Sequence, residues 1–128
     1  MTPARLRQFW SIITILLVVD LVIEAGFAGA ILSGADWARR AHVVNAVILI
    51  ASTALAGLAA IPTLRRISQG LKLGSALLSL AAVIGLQLAV GKLSAEGANL
   101  MWVHAPLGSA LVGFAVLTAI HARRLGGE

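Results

Sequence analysis

The stretch "AHVVNAVILIASTALAGLAAI", residues 41–61, contains no Asp, Glu, Lys or Arg. A helix of about 20 mostly apolar residues is long enough to cross the hydrocarbon layer of a membrane. Three further apolar stretches of spanning length occur at about 9–32, 71–93 and 100–121. The sequence therefore predicts an all-α membrane protein in which four transmembrane helices form a single domain over residues 1–128.

Composition supports this class and excludes several others. The chain is 59% hydrophobic and only 12% charged, with a mean hydropathy of +0.97, whereas soluble domains carry about 25% charged residues. The absence of cysteine excludes disulfides, thiolate metal sites and cysteine nucleophiles. The net charge of +5 does not indicate nucleic-acid binding, because the basic residues cluster between the apolar stretches. We therefore expect membrane lipids, and no nucleic acid, among the partners.

The connectors and the basic residues predict a topology. Connectors as short as "SGADWARR" favour antiparallel neighbours, so we expect an up-down-up-down bundle. One side then holds Arg5, Arg7, Arg65, Arg66, Lys72, Arg123 and Arg124, and the other holds Arg39, Arg40 and Lys92. Because the side richer in Lys and Arg faces the cytoplasm, both termini are predicted to be cytoplasmic. The expected location is the plasma membrane of a bacterium or archaeon.

Polar residues form one layer near the outer ends of the predicted helices. His42 and His104 lie in the first few residues of helices 2 and 4, which enter from the same face and sit diagonally in the bundle. Glu24 on helix 1 and Gln87 on helix 3 fall at a similar depth. Ionisable groups inside a membrane are costly and usually functional, so this layer is the candidate site.

Two imidazoles that converge from opposite helices, with small residues around them, suit the axial positions of a haem iron. We predict that His42 and His104 ligate the iron of one haem b. The other predicted haem-binding residues are Arg39, Arg40, Asn45, Gln87, Gly91 and Gly108.

The physical reason for predicting haem contact differs among these residues. Gly91 and Gly108 lack side chains and would let a flat ring approach the helix backbones. Asn45 shares a helix face with His42 and could hydrogen-bond a ring nitrogen or a ligand. Arg39 and Arg40 at the outer end could pair with haem propionates. Simple helix packing by glycine, and polar contacts between helices, remain the competing interpretation.

The motifs "RRAHVVNA", "GLQLAVGK" and "MWVHAPLG" resemble one four-helix half of the haem A synthases, eight-helix membrane enzymes built from two repeats. Each repeat of that family has histidines on its second and fourth helices, matched here by His42 and His104. Its third helix has a glutamine followed by a glycine, matched by Gln87 and Gly91. The chain equally resembles small uncharacterised bacterial four-helix membrane proteins with the same two histidines. The resemblance covers nearly the whole chain and implies bis-histidine b-type haem binding.

The resemblance does not extend to the family's acid. That acid lies four residues before the second-helix histidine, where this chain has Ala38. Glu24 is the candidate catalytic acid if the chain is an enzyme. A chain of half the family's length could pair into a homodimer or join a larger membrane complex.

Three functions follow. The first is a small membrane cytochrome b that transfers electrons to a partner the sequence does not identify. The second is a haem-modifying enzyme of the haem A synthase type. The third is a cofactor-free membrane subunit or scaffold whose polar layer only joins helices. Zinc also remains open as a metal, because two histidines and a carboxylate suit it.

Overall fold

The structure, a computed structural model, describes residues 2–126, and over this range it contains four α-helices. They are α1 (Pro3–Leu32), α2 (Asp36–Leu64), α3 (Gly70–Ala95) and α4 (Met101–Arg123). Each is long and apolar enough to cross a membrane, so the predicted all-α class and the prediction of four helices of membrane-spanning length are confirmed.

The helices extend beyond the apolar stretches on which their prediction rested, because polar residues at the ends continue or cap them. Helix α1 begins at Pro3 rather than at about residue 9, and the Thr2 hydroxyl accepts a hydrogen bond from the Arg5 backbone N–H at 3.4 Å. Proline suits this first position because its missing N–H would have no partner there. Glycines with a positive φ angle allow the short turns after two of the helices. They are Gly34 after α1 and Gly97 after α3.

The helices pack in a ring. The backbone of α1 lies close to those of α2 and α4, and that of α3 lies close to the same two helices. Across residues 2–126 the backbones of α1 and α3, and those of α2 and α4, do not approach each other in this way. Helices α2 and α4 therefore occupy opposite corners of the bundle, as the sequence predicts for the two helices that carry His42 and His104.

Glycines bring α2 and α3 close together. A Cβ atom added at Gly57 would lie 2.9 Å from the Leu78 side chain, and one at Gly74 would lie 2.8 Å from the Ile61 side chain. Small residues at such crossings let helices approach until their backbones are in van der Waals contact, which stabilises helix pairs in lipid.

The core fills only one half of the bundle. In the segment that we call the leucine half (residues 3–21, 47–64, 70–84 and 111–123), all four helices contribute buried residues, among them Trp10, Leu49, Leu77 and Leu111. In the histidine half (residues 22–32, 36–46, 85–95 and 101–110), only Ala38 and Ala46 are buried. The polar layer therefore lies in the half of the bundle that has no large buried apolar side chain.

The outer surface of the bundle is strongly apolar. Large exposed side chains occur on every helix, for example Leu16, Leu55, Leu86 and Leu117. Water would make such a surface costly, whereas lipid chains solvate it. This surface agrees with the assignment of the helices as membrane spans.

Candidate functional site

His42 and His104 face each other across the histidine half. Their ring centroids are 6.4 Å apart and the ring planes are inclined at 77°. One imidazole comes from α2 and the other from α4, which are diagonal in the bundle. The structure thus brings together the two residues that the sequence singled out as a ligand pair.

A carboxylate lies directly behind the His42 ring. Glu24 Oε1 of α1 lies 3.0 Å from His42 Nδ1, and the Glu24 side chain is only 13% exposed. The contact is close but not aligned as a hydrogen bond, since His42 Nδ1 has no hydrogen-bond partner. A small rotation of the ring would let Nδ1–H donate to this carboxylate, and that hydrogen bond would favour the tautomer that offers the other nitrogen to a ligand.

Asn45 joins two acids of α1. Its Nδ2 atom donates to Asp20 Oδ1 at 3.1 Å and to Glu24 Oε2 at 3.0 Å. The sequence suggested that Asn45 would contact a ring nitrogen or a ligand, but its amide nitrogen instead binds the carboxylates beside His42. Asp20 was not among the predicted site residues. The signal for it was its position one helical turn before Glu24, which places both acids on one face of α1.

Two glycines and a glutamine position His104. A Cβ atom at Gly91 would lie 2.7 Å from His104 Cε1, so glycine is the residue that leaves room for the ring. Gln87 Nε2 donates to the His104 carbonyl oxygen at 2.8 Å. A Cβ atom at Gly108 would lie 3.0 Å from that same Gln87 nitrogen, so Gly108 gives the amide access to the α4 backbone. These contacts make Gln87, Gly91 and Gly108 positioning residues for His104.

The two arginines lie apart from this network. Arg39 and Arg40 are in the first turns of α2, at the same end of the bundle as the histidines, and both are exposed. Their side chains are not packed into the polar layer. The remaining histidine, His121, lies at the other end, with its Nε2 atom 3.3 Å from the Gln69 carbonyl oxygen in the turn before α3.

Several polar atoms of the histidine half are buried and have no hydrogen-bond partner within the described part of the chain. They are His42 Nδ1, His104 Nδ1, Gln87 Oε1 and Ser94 Oγ. A buried polar atom without a partner is destabilising by about 1 to 3 kcal/mol. Two further such atoms, Trp10 Nε1 and Thr53 Oγ1, lie in the leucine half. Three of the four in the histidine half belong to the two imidazoles or to Gln87, which contacts His104, so the candidate site has polar atoms that a ligand could bind.

The spacing of the rings suits one metal ion between them. With metal–nitrogen bonds of about 2 Å, two imidazoles on a single ion have centroids roughly 6 Å apart. An inclination of the two planes is compatible with this arrangement, because each ring can rotate about its own metal–nitrogen bond. His42 and His104 are therefore the residues that would hold a haem iron, which would supply one-electron redox chemistry.

Zinc is less well matched. Structural zinc is usually held by four protein ligands and catalytic zinc by three. Across residues 2–126 there is no group of three or more His, Cys, Asp or Glu side chains placed to hold a metal ion. The carboxylate nearest the pair, Glu24, lies against His42 Nδ1 and also accepts from Asn45.

No protein-family model, no curated protein and no solved structure matches the chain. The resemblance to haem A synthases therefore rests on the sequence motifs alone.

Proposed function

We propose that this chain is a small membrane cytochrome b that holds one haem b between His42 and His104 and transfers electrons. The observation that carries the proposal is the pair of imidazoles 6.4 Å apart on diagonal helices. When bound, the haem would supply one-electron redox chemistry, and two strong axial ligands would leave no open position on the iron for oxygen.

The chain's own residues would hold and orient the ligands. Glu24 would fix the His42 ring from behind, while Asn45 would hold Glu24 in place. Gln87 and Gly91 would fix the backbone and the ring of His104. Each ligand would therefore be supported by the neighbouring helix, α1 for His42 and α3 for His104, which limits the reorganisation that accompanies a change of iron charge.

The proposed topology is up-down-up-down with both termini in the cytoplasm, in the plasma membrane of a bacterium or archaeon. It is supported by the distribution of Lys and Arg between the two ends of the helices. Exposed Trp37 and Trp102 at the histidine end suit the outer membrane interface. The haem would then lie near the outer face. Gly26 and Gly29, where an added Cβ atom would meet nothing within 4 Å, offer a surface for a homodimer or a larger complex.

A haem-modifying enzyme remains the second candidate because Glu24 lies next to one ligand. The contacts of Glu24 with His42 and Asn45 favour an orienting role for this acid over a catalytic one. Extraction of the haem after turnover with a reductant and oxygen separates the two functions, since a cytochrome returns unaltered haem b and an enzyme returns a modified macrocycle.

The test of the proposal is the absorption spectrum of protein purified after expression with ample haem. We expect a Soret band and a sharp reduced α-band from low-spin iron, with about one haem per chain by pyridine haemochrome assay. His42→Ala and His104→Ala should each abolish the low-spin spectrum by removing an axial ligand.

The matched control is His121→Ala, which alters a histidine at the other end of the bundle and should leave the spectrum unchanged. Colourless wild-type protein, or a low-spin spectrum that persists in both His42→Ala and His104→Ala, would contradict haem ligation by this pair and leave the polar layer as a contact between helices.

A further inference from the structure

A groove of about 590 Å³ lies between α1 and α2, mainly beside the leucine half. Its lining runs from Phe9 and Trp10 to Asp20 along α1, and from Thr63 to Ile48 along α2. From Phe9 to Asp20 the groove follows α1 for about 16 Å, at 1.5 Å per residue. Exposed lining residues such as Leu16 and Leu55 open it to the surrounding lipid.

Asp20 is the hydrogen-bond acceptor with spare capacity among the side chains that line this groove, while Trp10 Nε1, towards the other end, is a buried donor without a partner among the described residues. The Ser52 hydroxyl donates to the Leu49 carbonyl oxygen at 3.2 Å, and the Thr63 hydroxyl donates to the Ala59 carbonyl oxygen at 2.7 Å, so both are satisfied within α2. Asp20 accepts one hydrogen bond, from Asn45, and a carboxylate can accept several. The groove thus combines a long apolar floor with one hydrogen-bond acceptor, Asp20, at the end nearer to the histidine half.

A short chain of contacts leads from this acceptor to the histidine pair. Asp20 shares Asn45 with Glu24, and Glu24 lies against His42. A polar headgroup bound at Asp20 would therefore lie within a few side chains of the proposed iron, while its tail would run towards Phe9 and Trp10.

The chemistry of the groove selects among membrane molecules. An acyl chain of a phospholipid would fill the apolar floor but has no donor for the acceptor sites that Asn45 leaves free on Asp20. An isoprenoid alcohol has a tail and a hydroxyl, but an aliphatic hydroxyl is a weaker donor than a phenol and the alcohol supplies no electrons. A hydroquinone with a long isoprenoid tail supplies the tail, a hydroxyl donor for Asp20, and electrons for a redox centre beyond it.

We infer that this groove binds an isoprenoid hydroquinone, with the tail along α1 and one hydroxyl donating to Asp20, and that this molecule is the electron donor. This inference rests on the proposed cytochrome function. Oxidation of one hydroquinone to the quinone breaks two O–H bonds, releases two protons and reduces two equivalents of ferric iron to ferrous iron, one at a time. The Asp20 carboxylate accepts the proton of the hydroxyl that it binds, and the second proton leaves from the other hydroxyl to water at the membrane interface.

The test is photolabelling of the full-length protein in lipid nanodiscs with an isoprenoid hydroquinone that carries a photoreactive diazirine in its tail. The probe is kept reduced under anaerobic conditions, and labelled peptides are identified by mass spectrometry. We expect label on α1 and α2 beside the groove. Unlabelled isoprenoid hydroquinone should compete at a concentration at least tenfold lower than an isoprenoid alcohol of equal chain length.

Two substitutions probe the two ends of the groove. Ala59→Phe places a bulky ring on the exposed floor, and Asp20→Leu removes the acceptor; each should reduce labelling of α1 at least fivefold. Ala82→Phe is the matched control, because Ala82 is an exposed alanine on α3 outside the groove, and it should label like the wild type. Label spread evenly over the four helices, equal competition by the alcohol, or full labelling of both groove variants would overturn the inference.

The Soret absorbance of the same samples separates this inference from the proposed function. Red protein with unspecific labelling means that the groove does not bind hydroquinone, although the cytochrome proposal stands. Colourless protein with specific labelling keeps the binding site and overturns the cytochrome proposal, and with it the assignment of the hydroquinone as donor to haem iron.

Discussion

The leucine half and the histidine half belong to the same four helices but are stabilised differently. The leucine half buries Trp10, Leu49, Leu77 and other large side chains from every helix. The histidine half buries only two alanines and relies on polar contacts, such as those of Asn45 with Asp20 and Glu24. In lipid, helices associate through close packing and through interhelical hydrogen bonds, and each half of this bundle depends mainly on one of the two.

This difference separates folding from the candidate function. Packing in the leucine half holds the helices in register, so the histidine half can present two imidazoles at a fixed separation without large buried apolar side chains of its own. Substitutions in the leucine half are therefore expected to alter stability with little effect on ligand binding. Substitutions in the histidine half should do the reverse.

The largest effect is expected from Leu77→Ala. Leu77 is fully buried on α3, and truncation of such a leucine destabilises a protein by about 2 to 5 kcal/mol through lost contacts and the remaining cavity. Unfolding by SDS titration in mixed micelles measures the change. Leu86→Ala is the control on the same helix. Because Leu86 is 55% exposed, this substitution should lower the free energy of unfolding far less.

The haem spectrum of the Leu77→Ala variant should remain that of the wild type under conditions in which the variant is folded. A low-spin spectrum lost in folded Leu77→Ala protein would show that the two halves are not separable in this way.

An intermediate effect is expected from Gly91→Ala. The added methyl group would lie 2.7 Å from His104 Cε1, so the ring must move, and we expect a loss of haem affinity of about tenfold, equivalent to about 1.4 kcal/mol. Haem titration of the apoprotein measures it. Stability in SDS should change little, because alanine is a better helix former than glycine.

Gly85→Ala provides the comparison for Gly91→Ala on the same helix. An added Cβ atom at Gly85 has nothing within 4 Å, so haem affinity should equal that of the wild type. Equal affinities in the two alanine variants would mean that Gly91 does not position His104.

The smallest effect is expected from the double substitution Arg39→Gln and Arg40→Gln. Both side chains are exposed, and exposed ion pairs contribute about 0.2 to 1 kcal/mol. We expect haem affinity to fall by less than about fivefold, and the difference from wild type to shrink as salt screens the charges. Haem titrations at low and high ionic strength measure this, and a tenfold or larger loss that persists at high salt would place these arginines in the site.

Much of the architecture was predictable from the sequence. Four apolar stretches predict four spanning helices because every backbone polar group in lipid needs a partner within the helix. The equal depth of His42 and His104 follows from their places at the starts of helices 2 and 4. The contact of Glu24 with that layer was likewise predictable to within a helical turn.

The partners of the polar side chains were not predictable. Asn45 was expected near a ring nitrogen, but its amide nitrogen binds Asp20 and Glu24, because the rotation of α1 about its own axis decides which groups it meets. Gly91 and Gly108 were expected to face a macrocycle, and the structure places their open sides against His104 and Gln87. Helical spacing places a residue on a face, but it does not say which neighbouring helix lies opposite.

Hydropathy and length alone determined that this chain forms four membrane-length helices, since the cost of burying polar groups in lipid depends on composition along one segment at a time. Only the tertiary structure decided that two imidazoles meet at 6.4 Å, that an acid lies beside one of them, and that the large buried side chains lie in the other half of the bundle. Those features depend on how the helices rotate and cross, which is set by packing between residues far apart in the chain.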